Sequence, residues 1–109
     1  MANNTYFKGT EIKFSINLSA PDFSMDDDDF DIEVKTGNVS VKGYKGVQDE
    51  DLGIVIFKEG EDWFAIVDTK KLSSGRMTVI GTAHIVDANA ADGVRDDIAT
   101  ATLGQLQDL

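Results

Sequence analysis

Between Glu11 and Leu18 the chain reads EIKFSINL, and the apolar Ile12, Phe14, Ile16 and Leu18 alternate with Lys13, Ser15 and Asn17. Successive side chains of an extended backbone point to opposite faces, so a period of two predicts a strand with one face in a core and the other in water. The same pattern returns at Phe30, Ile32 and Val34, separated by Asp31 and Glu33 and followed by Lys35. Thr36-Gly37-Asn38 then predicts a turn, because glycine and asparagine tolerate positive φ, and Val39, Val41 and Tyr44 carry a third strand.

After the polar loop VQDEDLG, the run IVIFKEGEDWFAIVD predicts a hairpin whose arms are Ile54 to Lys58 and Trp63 to Asp68, joined through Glu59-Gly60-Glu61. Both arms have apolar residues at consecutive positions, which predicts cover on both faces, or on one face plus a partner. DTKKLSSG fits one helical turn or a tight loop with Leu72 pointing inward. RMTVIGTAHIV predicts a long strand with Met77, Val79, Gly81, Ala83 and Ile85 on one face, and Arg76, Thr78, Ile80, Thr82 and His84 on the other. DANAADG is a loop. For residues 94 to 103 a helix is the alternative, since alanine favours it, but Val94, Thr100 and Thr102 favour the strand expected here.

No segment has a sustained apolar stripe of period 3.6, and no fixed-period repeat occurs. About seven short strands between Gly- and Asp-rich turns predict an all-β protein: a single antiparallel β-sandwich over residues 1–109, immunoglobulin-like or jelly-roll-like.

Composition narrows the function classes. The net charge of −10 repels phosphate backbones, so nucleic acid is excluded as a partner, leaving cations, basic protein patches or uncharged contacts. Hydrophobic residues make up 41% of the chain, too many for disorder throughout. With no cysteine there is no disulfide, thiolate metal site or cysteine nucleophile. No window approaches the roughly 18 apolar residues of a membrane span, and MANNTYFKGTEIKF lacks a secretory pattern, so a soluble protein made in a cytoplasm is expected.

Candidate chemistry is thin. Counting a calcium loop from Asp27 places acids at Asp29 and Asp31, but Ile32 takes the glycine position and Asn38 that of the closing glutamate. A solvated loop is therefore expected at Asp26 to Asp29. DANAADGVRDD has Asp87, Asn89, Asp92, Asp96, Asp97 and a turning Gly93, yet Ala91 occupies a ligand position. A polar hairpin loop with Asn and Asp bonded to their own backbone is expected there. His84 is the single histidine, with Thr82 and Val86 as same-face neighbours and no nucleophile motif around any serine, so a structural role is expected. Gly43, Gly46 and Gly53 lack the spacing of a phosphate loop. No cofactor, metal ligand or catalytic residue is assigned.

The order of features resembles the N-terminal domain of the baseplate upper protein family, small β-sandwich proteins of tailed bacteriophages. The matching stretches are KGTEIKFSINL, the acidic link into DDDDFDIEV, WFAIVDTKKLSSG with its L-x-x-G reversal, and DANAADGVRDD with its G-x-R element. Together they cover most of the chain, although members often continue into a receptor-binding or fibre region. The resemblance implies a non-enzymatic virion protein, an adaptor or decoration piece of tail, baseplate or capsid, present in multiple copies and bound to other virion proteins. A crass-like phage of gut anaerobes is the source it suggests.

Such a module needs contacts near its ends. Leu103, Leu106 and Leu109 recur at three-residue spacing, which a short helix would align on one face, and Tyr6 and Phe7 are aromatic anchors at the other end. These five residues are the expected partner contacts, with packing back onto the sandwich as the alternative. Two other functions compete: a carbohydrate-binding module using Trp63, Tyr6 and Tyr44, and, weakest, a small hydrolase.

Overall fold

The structure, a computed structural model, describes residues 4–108. Alternation sets its faces. In β2 (Glu11–Ile16), Ile12 and Ile16 are buried, and in β3 (Asp29–Thr36) Phe30, Ile32, Val34 and Thr36 are buried along one face. The turn at Gly37 leads into β4 (Val39–Tyr44), which pairs antiparallel with β3. The predicted hairpin is β5 (Ile54–Glu59) and β6 (Asp62–Asp68), registered with Phe57 opposite Phe64. A short 3-10 helix, Thr69–Lys71, follows and Leu72 is buried. β7 (Gly75–Val86) and β8 (Val94–Gln107) form a long antiparallel hairpin.

The strands make a five-stranded sheet in the order β1-β8-β7-β3-β4, where β1 is Thr5–Phe7, and a three-stranded sheet in the order β2-β6-β5. The sheets pack face to face as an all-β sandwich. Its core joins Ile12 and Ile16 to Phe30, Ile32 and Val34 across the interface, with Ile54, Ile56, Ala65, Val67 and Met77 completing it. The five-stranded sheet is wider, so the three-stranded sheet covers only part of it.

Four expectations change. There are eight strands rather than about seven, because β1 pairs with the end of β8, and that pair is parallel, with Tyr6 opposite Leu106. A three-residue strand carries too little pattern to be read locally. Second, the loop after β4 contains a 3-10 helix, Glu50–Leu52.

Third, Leu103 and Leu106 lie within β8 and not on a helix. The register with β7 slips there: Thr78 faces Thr102 while Met77 faces Gly104, leaving Leu103 as the extra residue of a β-bulge. The bulge shifts the inward positions from odd to even numbers, so Leu106 enters the core at 2% exposure and Leu103 packs partly against it. Gly104 permits this, since a Cβ there would collide with the Asn4 carbonyl oxygen.

Fourth, of the two kinds of cover expected for the β5–β6 hairpin, the described residues supply no second layer on its outer face, which leaves cover by a partner as the alternative. Phe57 and Phe64 stack at 6.0 Å and are half-buried, with the Lys13 ammonium 4.6 Å from the Phe64 centroid. A long basic side chain thus covers part of the apolar face.

Candidate functional site

Pairing in the five-stranded sheet brings His84 between two carboxylates. Its Nε2 lies 2.7 Å from Asp31 Oδ2 on β3, and its Nδ1 lies 2.8 Å from Asp96 Oδ1 on β8. Asp31 is 4% exposed, and its other oxygen is 3.6 Å from Lys42 Nζ on β4. A neutral imidazole has one N–H, whereas the cation donates at both nitrogens. Hydrogen bonding to Asp31 first, and then to Asp96, accordingly raises the His84 pKa above its ordinary 6.5. The protonated ring has no lone pair left for a base or a ligand, and it satisfies a carboxylate that is otherwise nearly buried. Sequence neighbours Thr82 and Val86 gave no sign of this, because both partners come from other strands.

The aspartate run does more than stay solvated. Asp26 Oδ1 accepts from Trp63 Nε1 at 2.9 Å and meets Lys58 Nζ at 2.9 Å, while Asp28 Oδ2 accepts from the Ser24 backbone N–H at 2.9 Å. Lys45 Nζ donates to the carbonyls of Asp26 and Asp28 at 2.8 and 2.7 Å. The Asp26 pKa is lowered, first by Lys58 and then by Trp63. The Trp63 and Lys58 bonds fasten the loop to the three-stranded sheet, and those from Lys45 fasten it to the end of β4 in the other sheet. In the β7–β8 loop, Asp87 Oδ1 accepts from the Asn89 N–H at 2.9 Å and Asp92 Oδ1 from the Val94 N–H at 3.1 Å, the self-bonded loop expected from its residues. The Asn89 bond first, and then Arg95, lower the Asp87 pKa. Among the described residues, no three or more His, Asp or Glu converge as metal ligands.

The expected partner residues separate. Leu106 is in the core and offers no surface, a correction produced by the bulge. Leu103 and Tyr6 are partly buried against that core, while Phe7 is 53% exposed. Leu109 lies outside the described residues. The aromatic residues considered for sugar binding form no shared platform. Tyr6 is on β1 and Tyr44 on β4, at opposite edges of one sheet, while Trp63 belongs to the other sheet and packs edge-on against Phe30 at 5.4 Å.

The surface that sequence reading missed is the long side of the sandwich between β2 and β8. Among the described residues, β8 is paired beyond its β7 side only where β1 joins it, from Gln105 to Gln107. Among the described residues, the backbone from Val94 to Leu103 is therefore an open edge. Next to it a cleft of about 340 Å³ separates β8 from β2 and Leu18, with Ile32, Val79 and Gly81 among its lining. Ala99 and Ala101 point toward the smaller sheet yet remain exposed, because that sheet ends at β2. Around this cleft charge is missing: no acidic or basic residue occurs from Phe14 to Pro21 or from Ile98 to Gln107, in a chain that is 28% charged, whereas Arg95, Asp96 and Asp97 stand at the start of the β8 edge. The uncharged run is visible in the sequence, but its place on a free edge is not.

No family model, no curated protein and no solved structure matches this chain.

Proposed function

We propose that the chain is a non-enzymatic structural module of a tailed-phage particle, an adaptor or decoration protein joining tail, baseplate or capsid components through protein–protein contacts. The phage setting comes from the resemblance to baseplate proteins. The observation that carries the mode of action is the open side, where an unpaired strand edge borders a cleft of apolar and uncharged polar residues. Exposed edges are templates for pairing with another chain, and proteins not meant to pair blunt them with charged side chains, proline, a bulge or a covering segment. Arg95, Asp96 and Asp97 charge the start of this edge and the bulge at Leu103 ends it, but from Ile98 to Thr102 there is no charged residue and no proline.

The engagement of both His84 nitrogens by carboxylates supports a structural role for the one histidine and weakens the hydrolase alternative. The dispersion of Tyr6, Tyr44 and Trp63 weakens the carbohydrate alternative. The test is to purify particles from a host that carries the gene and to quantify the chain by mass spectrometry. Stoichiometric presence is expected, with loss of incorporation in an Ile98→Lys variant that still folds. Absence from particles would overturn the proposal.

A further inference from the structure

The open β8 edge meets the requirements of a two-fold contact. In an isologous antiparallel pair the axis stands perpendicular to the sheet, so facing residues share a face and their numbers have the same parity. Centring such a pair on Ile98 places Asp97 opposite Ala99, Asp96 opposite Thr100, Arg95 opposite Ala101 and Val94 opposite Thr102. Every charged residue then faces an uncharged one. Asp96 of each copy lies four positions from its counterpart, about 13 Å at strand rise and beyond the screening length of about 8 Å at physiological salt. Asp97 lies two positions from its counterpart, about 7 Å along the strand, where the Arg95 guanidinium beside each Asp97 offsets the repulsion.

The acids on this edge are also engaged within their own chain, Asp96 by His84 at 2.8 Å and Asp97 by Arg95 at 3.3 Å. At the centre stands Ile98, 67% exposed on the outer face. In the pair it meets Ile98 of the second copy, a β-branched cross-strand contact of the kind that stabilises sheets.

Charge selects this occupant. A basic partner segment would call for free carboxylates along the edge, whereas Asp96 and Asp97 are already engaged by His84 and Arg95. A second copy, itself at −10, can approach closely only where neither copy presents unpaired acid. We propose that β8 pairs with β8 of a second copy, making one continuous ten-stranded sheet with the two-fold axis at Ile98. This deepens the assembly reading and rests on it for biological meaning, but the contact is testable in solution.

Sedimentation equilibrium of the full chain is expected to give a dimer. Ile98→Lys alone and Ile98→Glu alone place like charges on the axis and are expected to be monomers with the far-UV circular dichroism of the parent. Mixing the two variants is expected to restore a dimer containing one of each, read by native mass spectrometry. A parent chain that stays monomeric at every concentration overturns the proposal, as does a dimer that persists in both single variants or folded single variants that fail to pair on mixing. A variant that loses its circular dichroism is replaced by Ile98→Arg or Ile98→Asp, which carry the same charge test at the axis. The assembly reading fails separately: dimerisation in solution without presence in particles overturns that reading and leaves this contact standing, while a monomeric parent found in particles does the reverse.

Discussion

The two long sides of the sandwich are finished in opposite ways. On one side the edge strands β4 and β5 close on each other. Gly43 brings its backbone so near β5 that an added Cβ would stand 2.7 Å from the Ile54 carbonyl oxygen, and a Cβ at Gly53 would stand 2.8 Å from Val41. On the other side β2 and β8 stay apart across the cleft, and the small residues Ala99 and Ala101 face it without being covered. Removing side chains does not by itself bring sheets together. Glycine on the closed side permits backbone contact because a short connection from β4 to β5 holds the two edges adjacent. On the open side nothing in the described chain draws β8 toward β2, so its small residues leave space.

This contrast can be broken from its most deeply packed point outward. Leu106→Ala removes the side chain that the bulge delivers to the core beneath the β1 junction, and a loss of about 2–5 kcal/mol is expected in urea unfolding. A near-neutral result would mean that Leu106 is available to partners after all. Gly43→Ala overpacks the closed side against β5 backbone, with about 1–3 kcal/mol of destabilisation expected in the same measurement.

The His84 cluster tests the middle of the wide sheet. Because its folded pKa is raised, the stabilisation is fully present below the ordinary 6.5 and disappears as pH rises through the folded value. The parent should therefore lose unfolding free energy with rising pH above about 6.5, relative to His84→Gln, which should lack that component. The difference should stay below about 1 kcal/mol, since the ring is about a third exposed and screened by solvent. Parallel pH profiles for the two proteins would detach the cluster from stability. The smallest effect belongs to the open side: Ala99→Val should change the unfolding free energy of the monomer by no more than about 0.5 kcal/mol, as at other exposed sites. A loss comparable to that of Gly43→Ala would show that the two sides are equally closed.

Much of the scaffold was legible one strand at a time, because alternation is a property of a few consecutive residues. EIKFSINL, FDIEVK and RMTVIGTAHIV placed β2, β3 and β7 with the correct faces inward, and DTKKLSSG placed Leu72. The end of β8 was misread for an identifiable reason. Leu103 and Leu106 are three apart, a spacing that a regular strand sends to opposite faces and a helix aligns, and the bulge that reconciles them with a strand depends on pairing with Met77 and Thr78. β1 was missed because it exists only through its parallel partner.

By itself the sequence determined the all-β class, the core faces, the self-bonded loop at Asp87 to Asp92 and the net charge of −10, since each follows from local pattern or from summed charge. The tertiary structure alone decided which edge stays unpaired, that Asp31, His84 and Asp96 meet, and that the uncharged run after Asp97 borders a cleft. The reason is physical: pairing and register are set by the joint packing of strands distant in the chain, and an edge can be recognised as open only when every neighbouring strand has been placed.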